Sequence, residues 1–83
     1  MEYSETYFSA QQKAVAFRNA LDRKVGHPVE TGDIETVLNA LKPELQDKIR
    51  KEKLRLFEGV YGWAYSEQYG RAGASKMLTK EDL

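Results

Sequence analysis

The chain has 83 residues, no cysteine, equal numbers of acidic and basic side chains, and 31% charged residues. These values exclude disulfides and cysteine-based metal sites, and they argue against a protein that coats nucleic acid through bulk positive charge. Leu, Ile, Val and Phe make up about 22% of the chain, just above the ~20% at which disorder becomes the better interpretation. We therefore expect one folded domain with a thin core, which a partner or a second copy would complete.

The sequence also bears on location. No apolar run approaches the ~20 residues that a membrane span requires. The first five residues are acidic rather than basic and no apolar stretch follows them, so a secretory signal is not expected. A cytoplasmic protein without membrane partners is the expectation that follows.

The first predicted element is an amphipathic helix over residues 4–25. Its apolar positions recur at three- or four-residue spacing and form one stripe, as in a helix packed on a core. These positions are Tyr7, Ala10, Ala14, Phe17, Leu21 and Val25. Gly26 is well placed to end this helix, with Pro28 just beyond it.

Residues 26–32 are predicted to form an extended connection, because Pro28 disfavours helical backbone in the residue before it. The single histidine, His27, lies here; without acidic companions at ligand spacing, it is expected on the surface rather than in a metal site. Thr31 or Asp33 then caps a second helix, predicted over residues 33–41.

A third helix is predicted over residues 43–69, since Pro43 is a favourable first residue. Within it, aromatic side chains recur every four residues and small residues every three or four, which on a helix gives an aromatic stripe and a narrow groove. The aromatic set is Phe57, Tyr61, Tyr65 and Tyr69, and the small set is Gly59, Gly62, Ser66, Gly70 and Gly73. Such a helix would be roughly 40 Å long. It must bend near Gly59 or Gly62, or project an aromatic end that needs a partner.

The predicted fold class is therefore all-α: a three-helix domain spanning residues 1–69, with a long C-terminal helix and a flexible tail over residues 70–83. Thr79 is a candidate cap for a short helix in that tail. The predicted core is Phe17, Leu21, Val25, Ile34, Val37, Leu38, Leu41, Leu45, Ile49, Leu56 and Val60.

The aromatic segment is the first candidate functional surface. Three interpretations stay open: a core, a protein interface, or a stacking platform for single-stranded nucleic acid. Little positive charge surrounds the segment, which counts against the platform. The candidate interface residues are Phe57, Tyr61, Trp63, Tyr65 and Tyr69.

The second candidate is a basic face formed by Lys48, Lys51 and Arg55, which would contact the phosphates of DNA or RNA. The alternative is an ordinary solvated helix face, with Glu44–Lys48 and Asp47–Lys51 ion pairs. A helix-turn-helix is disfavoured because its second helix would begin with acidic residues where it should meet DNA.

No residue set suggests catalysis, a cofactor, a metal site or a small-molecule substrate. The leading prediction is a non-enzymatic interaction or regulatory module, of adaptor or inhibitor type. It binds a partner protein or itself through the aromatic and small-residue face of the last helix. The alternative is a small DNA- or RNA-binding regulator that uses the basic face. The composition resembles that of some small regulatory proteins of phages and plasmids, a likeness that assigns no residue a role.

Overall fold

The computed structural model describes residues 2–66 and 75–83, with side chains from Phe8 onward. These residues form three α-helices, then a three-stranded antiparallel sheet in the order β1-β2-β3, and a short C-terminal 3-10 helix. The elements are α1 (Glu2–Val25), α2 (Ile34–Ala40), α3 (Pro43–Lys51), β1 (Leu56–Gly59), β2 (Gly62–Ser66), β3 (Ser75–Met77) and the 3-10 helix (Lys80–Asp82). The prediction of an all-α helical bundle is therefore wrong.

The first helix and its end agree with the sequence prediction. Helix α1 ends at Val25, and Gly26 follows with a φ of 96°, a left-handed conformation that favours glycine. The Gly26 N–H donates to the Asp22 carbonyl over 2.8 Å, which closes the last turn. His27 lies exposed in the connection, as predicted.

Arg18 and Asp22 of α1 hold the connection that follows the helix. The Val29 N–H donates to Asp22 Oδ1 over 3.0 Å, and Arg18 Nη2 donates to the Val29 carbonyl over 2.6 Å. Arg18 Nη1 also donates to Glu58 Oε2 on β1 over 2.8 Å. Val29 is buried in the core, although its segment was predicted only as an extended connection. One arginine thus ties the loop and the sheet to α1.

Helix α2 begins and ends as its sequence suggests. Asp33 is the N-cap, and its carboxylate accepts hydrogen bonds from the Thr36 N–H and hydroxyl. At the other end, Lys24 of α1 donates to the Ala40 carbonyl and Gln46 donates to the Leu41 carbonyl. These side chains satisfy carbonyl groups that have no partner inside the helix.

Helix α3 starts at Pro43 as predicted but ends at Lys51, so the long helix over residues 43–69 is wrong. Lys53 adopts a left-handed backbone with a φ of 54°. Its N–H donates to the Arg50 carbonyl, and the Leu54 N–H donates to the Ile49 carbonyl. This is the Schellman arrangement that closes helices, with the two apolar residues Ile49 and Leu54 both buried beside it. A lysine in the position usually taken by glycine hides this stop signal.

Residues 56–66 form a β-hairpin in place of the predicted helix. Leu56 pairs with Tyr65, Phe57 with Ala64, and Glu58 with Trp63. Positions four residues apart share one face of a helix, but they also share one face of a strand, because four is a multiple of two. The four-residue aromatic spacing therefore did not distinguish the two structures.

The C-terminal segment completes the sheet and the core. Strand β3 pairs with β2, and the Leu78 N–H donates to the Trp63 carbonyl over 2.8 Å. Leu78 is fully buried, and Thr79 caps the 3-10 helix. The predicted flexibility of residues 70–83 stays a prediction, and residues 67–74, which include the predicted boundary at 69, lie outside the described residues.

The core lies between α1, the short helices and one face of the sheet. Its buried residues are Phe17, Leu21, Val29, Val37, Leu38, Ala40, Leu41, Ile49, Leu54, Leu56, Trp63, Tyr65 and Leu78. Val25 and Leu45 pack against this core and are partly buried, whereas Ile34 and Val60, also predicted there, are exposed. Val60 is exposed because it belongs to the hairpin turn rather than to a helix face.

Candidate protein-binding surface

The hairpin turn carries two exposed apolar side chains. Val60 and Tyr61 connect β1 to β2, with 87% of Val60 and 45% of Tyr61 accessible to solvent. The backbone takes its left-handed residue at Gly62, which has a φ of 93°. Glycine thus supplies the conformation that the turn needs, so the turn itself does not require valine or tyrosine.

Gly62 also seats the hairpin closely on α1. A Cβ atom added at Gly62 would lie 2.9 Å from the Ala14 Cβ, closer than real Cβ contacts allow. The glycine at this position therefore provides the close approach to a helix that the small-residue pattern suggested. The approaching element is a strand, and its partner is α1 of the same chain.

The outer face of the sheet extends the apolar surface of the turn. Because paired residues point to the same side, the register places Phe57, Ala64 and Met77 in one row across the three strands. All three are half-buried. A Cβ at Gly59 would lie 3.3 Å from Cε2 of Phe57, so the ring lies alongside this glycine. We define the hairpin surface as Phe57, Val60 and Tyr61.

The structure divides the predicted interface residues between two environments. Trp63 and Tyr65 face the core, at 2% and 4% exposure, while Phe57 and Tyr61 lie on the hairpin surface. Tyr69 lies outside the described residues. The interface role of the whole set stays a prediction, but only its Phe57 and Tyr61 members reach solvent in the described part.

Trp63 has a further property that distinguishes it from its buried neighbours. Its Nε1 atom is buried and has no hydrogen-bond partner among the side chains and backbone groups that the structure describes. A buried donor left in this way costs about 1–3 kcal/mol. The apolar area of the indole must therefore offset that penalty, which marks Trp63 as a packing residue.

The basic candidates do not share one helix face. Lys48 lies near Tyr65, with its Nζ atom 5.8 Å from the centre of the ring, in the range of a cation–π contact. Lys51 is exposed at the end of α3, and Arg55 follows the left-handed turn, beside Ser66 at the open end of the hairpin. The contact of these three residues with nucleic acid stays a prediction.

The charges around the basic candidates are mixed, since the exposed residues Glu44, Asp47 and Glu52 lie among them. The ion pairs among residues 8–66 and 75–83 are Arg18–Asp22, Arg18–Glu58 and Arg50–Glu35. The predicted Glu44–Lys48 and Asp47–Lys51 pairs are not among them. No observation here favours nucleic acid over protein as the partner.

Sequence reasoning missed a second exposed apolar site, on α1. Phe8 and Val15 are 61% and 59% exposed, although the predicted apolar stripe of this helix runs along the opposite side. Their spacing of seven residues is the signal that could have revealed them, because residues seven apart lie on one face of a helix.

Among the side chains of residues 8–66 and 75–83, no group of three His, Asp or Glu is arranged to hold a metal ion. None of the helices in these ranges is both long and apolar enough to cross a membrane.

Comparison with known proteins gives no assignment. No protein-family model, curated protein or solved structure matches this chain.

Proposed function

We propose that this chain is a small protein-binding module of regulatory type, which captures a partner protein with the hairpin surface. The observation that carries the proposal is the exposure of Val60, 87% of which is open to solvent at the tip of the hairpin. An adaptor or an inhibitor would use such a module. The proposed binding surface is the turn of a hairpin rather than the face of a last helix, because α3 ends at Lys51 and the hairpin follows it.

The choice of residues in the turn supports a binding role. Turns favour Gly, Pro, Asn, Asp and Ser, each for a conformational or hydrogen-bonding reason. Val60 and Tyr61 belong to the types that favour strands instead, and Val60 packs against little of its own chain. Aromatic and apolar side chains at the centre of a patch are the usual anchors of protein interfaces.

The surroundings of the turn would make it a rigid anchor rather than a loose loop. Gly62 is packed against Ala14, and Glu58 receives a hydrogen bond from Arg18. Both contacts fix the hairpin to α1, and the one at Gly62 lies directly beside the turn. A preorganised surface loses less conformational entropy when it binds.

The experiment is capture of partners from an extract of the source cells on immobilised protein. We compare the wild type with Val60→Glu, which places a charge at the tip, and with Ile34→Glu as a matched control. Ile34 is also an exposed β-branched residue, but it begins α2, where a glutamate is favourable.

We expect the wild type and Ile34→Glu to capture the same defined partner in equal amounts. Val60→Glu is expected to capture at least tenfold less of it. Equal capture by all three proteins, or no specific partner for the wild type, would contradict it. A cytoplasmic site of action is part of the same proposal, because a chain without cysteine makes no use of an oxidising compartment.

A further inference from the structure

Strand β1 forms one edge of the sheet, and half of its backbone groups point away from the other strands. The Ser66 N–H donates to the Arg55 carbonyl over 2.9 Å, which makes these two residues a hydrogen-bonded pair. Such pairs recur at every second residue of an antiparallel ladder, so Phe57 is also bonded to β2. Leu56 and Glu58 alternate with these residues, and they therefore direct their N–H and carbonyl groups to the open edge.

The bonds on the far side of β2 agree with this arrangement. The Leu78 N–H donates to the Trp63 carbonyl, so the backbone groups of Trp63 point to β3 and not to Glu58, its partner in register on β1. Among residues 8–66 and 75–83, no hydrogen bond reaches the backbone groups of Leu56 or Glu58 from the open side. Backbone groups without a protein partner normally face water. The edge thus offers two N–H and two carbonyl groups to an added strand.

The two edges of the sheet differ in how well they would accept a strand. Strand β3 has three residues, and its central residue, Lys76, is exposed. A short strand with a lysine is a common way to protect an edge. Strand β1 has four residues and no lysine, and its one charged residue, Glu58, is held by Arg18 of α1 over 2.8 Å. The edge of β1 is therefore the one suited to pairing.

We infer that the partner captured by the hairpin surface adds an extended segment to the edge of β1, as a fourth, antiparallel strand. This inference rests on the proposed function, because Phe57 belongs to both the edge strand and the hairpin surface. Extended backbone is what matches donors and acceptors that recur at every second residue. In this mode of recognition, main-chain hydrogen bonds supply affinity and alternate side chains supply specificity.

The outer face of the edge specifies the chemistry of the added segment. Arg55 and Phe57 are two residues apart, so their side chains lie on the same face. Arg55 is exposed and belongs to none of the ion pairs among residues 8–66 and 75–83. Opposite charges and apolar side chains both form favourable cross-strand pairs. The segment therefore carries an apolar residue opposite Phe57 and, two positions later, an acidic residue opposite Arg55.

A second copy of β1 would not supply that acidic residue. When two antiparallel strands pair, the outer face of one continues the outer face of the other. The outer face of β1 carries Arg55, Phe57 and Gly59, none of which is acidic. Glu58 lies on the core side, where Arg18 holds it. Charge complementarity therefore favours a foreign segment over a second copy.

The first test uses a short synthetic peptide of threonine and serine, with one valine and an aspartate two positions after it. Amide hydrogen exchange is followed by nuclear magnetic resonance in the full chain, with peptide added up to millimolar concentration. We expect exchange at Leu56 and Glu58 to slow at least tenfold at saturation, while the Phe57 amide, already bonded to β2, changes little. Unchanged exchange at Leu56 and Glu58 would overturn the inference. Slowing that follows protein concentration without peptide would assign the edge to a second copy and overturn it too.

A charge exchange tests the position of the acidic residue. The control peptide has lysine in place of the aspartate, and we expect the wild type to bind it severalfold more weakly. Arg55→Glu is expected to reverse this preference. The reversal compares two peptides on one protein, so a change in stability does not produce it. An Arg55→Glu protein that still prefers the aspartate peptide would refute the proposed pairing.

The last test blocks the edge with proline. Glu58→Pro and Glu58→Ala both lose the contact with Arg18, but only proline removes the N–H that points to the open side. Proline is tolerated at such an edge position because that N–H is not part of the ladder. We expect Glu58→Pro to bind the aspartate peptide, and to capture the partner from the extract, at least tenfold less than Glu58→Ala. Equal capture by these two variants, with capture lost in Val60→Glu, would overturn strand addition and leave the proposed function intact.

Discussion

Gly32 in the helical region and Gly62 in the hairpin have the same φ of 93° but opposite surroundings. A Cβ at Gly32 would meet nothing within 4 Å, whereas one at Gly62 would lie 2.9 Å from the Ala14 Cβ. In the helical region, residues 2–51, glycine only allows the chain to turn. In the hairpin it also allows one element to pack against another. The same backbone angle therefore has a conformational role in one region and a packing role as well in the other.

The largest effect expected in either region is that of Trp63→Ala. Removing a buried tryptophan costs about 3–5 kcal/mol, which is most of the free energy of unfolding of a small domain. If the hairpin is part of the single core, the helices should unfold with it, in one transition followed by both circular dichroism and fluorescence of a labelled chain. If the helices stay folded while the hairpin unfolds, the two regions do not share one cooperative core.

Trp63→Phe is the matched control for this prediction. Phenylalanine keeps much of the apolar area and removes the indole N–H that has no partner. We expect Trp63→Phe to lower the free energy of unfolding clearly less than Trp63→Ala does. Equal losses would mean that the site does not tolerate even a conservative change in shape.

The next largest effect is the difference in stability between Gly62→Ala and Gly32→Ala. Both substitutions force a side chain into left-handed backbone, at about 1 kcal/mol or more. Gly62→Ala adds the clash with Ala14, and overpacking typically costs a further 1–3 kcal/mol. Urea unfolding should show Gly62→Ala to be the more destabilised by roughly 2 kcal/mol. Equal losses would mean that the hairpin does not pack on α1 as described.

The smallest effect concerns the end of α3, at the boundary of the two regions. Lys53 adopts a left-handed backbone with a φ of 54°. Glycine adopts it without the steric cost but is more flexible when unfolded, so Lys53→Gly should stabilise the protein by about 0.5–1 kcal/mol. Thermal unfolding measures the change. Lys51→Gly, within the last turn of α3, is the control and should destabilise by about 1 kcal/mol.

The helical region was largely predictable from the sequence. Gly26 and Pro43 were predicted to end one helix and to start another, and the structure confirms both. Of the two candidate caps for the second helix, Thr31 and Asp33, the structure has Asp33. Local hydrogen bonds and backbone preferences determine such boundaries, so the residue types reveal them.

The end of α3 was not predictable in the same way, because a lysine occupies the left-handed position. The four-residue aromatic spacing after Lys53 agrees with a continued helix, so it does not reveal the end of α3. The signal for a hairpin was present in Leu54, Leu56, Trp63 and Tyr65, which alternate on either side of two glycines. That alternation alone does not distinguish a hairpin from a helix. The pairing of β1 with β2, which is a tertiary contact, decides for the hairpin.

The candidate surfaces were harder to predict than the fold. Phe57 and Tyr61 were among the predicted interface residues and do reach solvent, but Trp63 and Tyr65 of the same predicted set are buried. Phe57 pairs with Ala64, which lies between Trp63 and Tyr65 in β2, so Phe57 faces the side of the sheet opposite to theirs. The turn between the two strands therefore divides a set that one continuous helix would place together. Phe8 and Val15 were missed because the core stripe of α1 accounted for the apolar pattern of that helix.

The measurement that most directly tests the account is the set of backbone nuclear Overhauser contacts over residues 54–66 of the full chain in solution. The account predicts contacts between Phe57 and Ala64 and between Glu58 and Trp63, as the register of β1 and β2 requires. Contacts between residues three apart along 54–66, without these cross-strand contacts, would contradict it. That result would restore the long helix and remove the hairpin surface on which the proposed function depends.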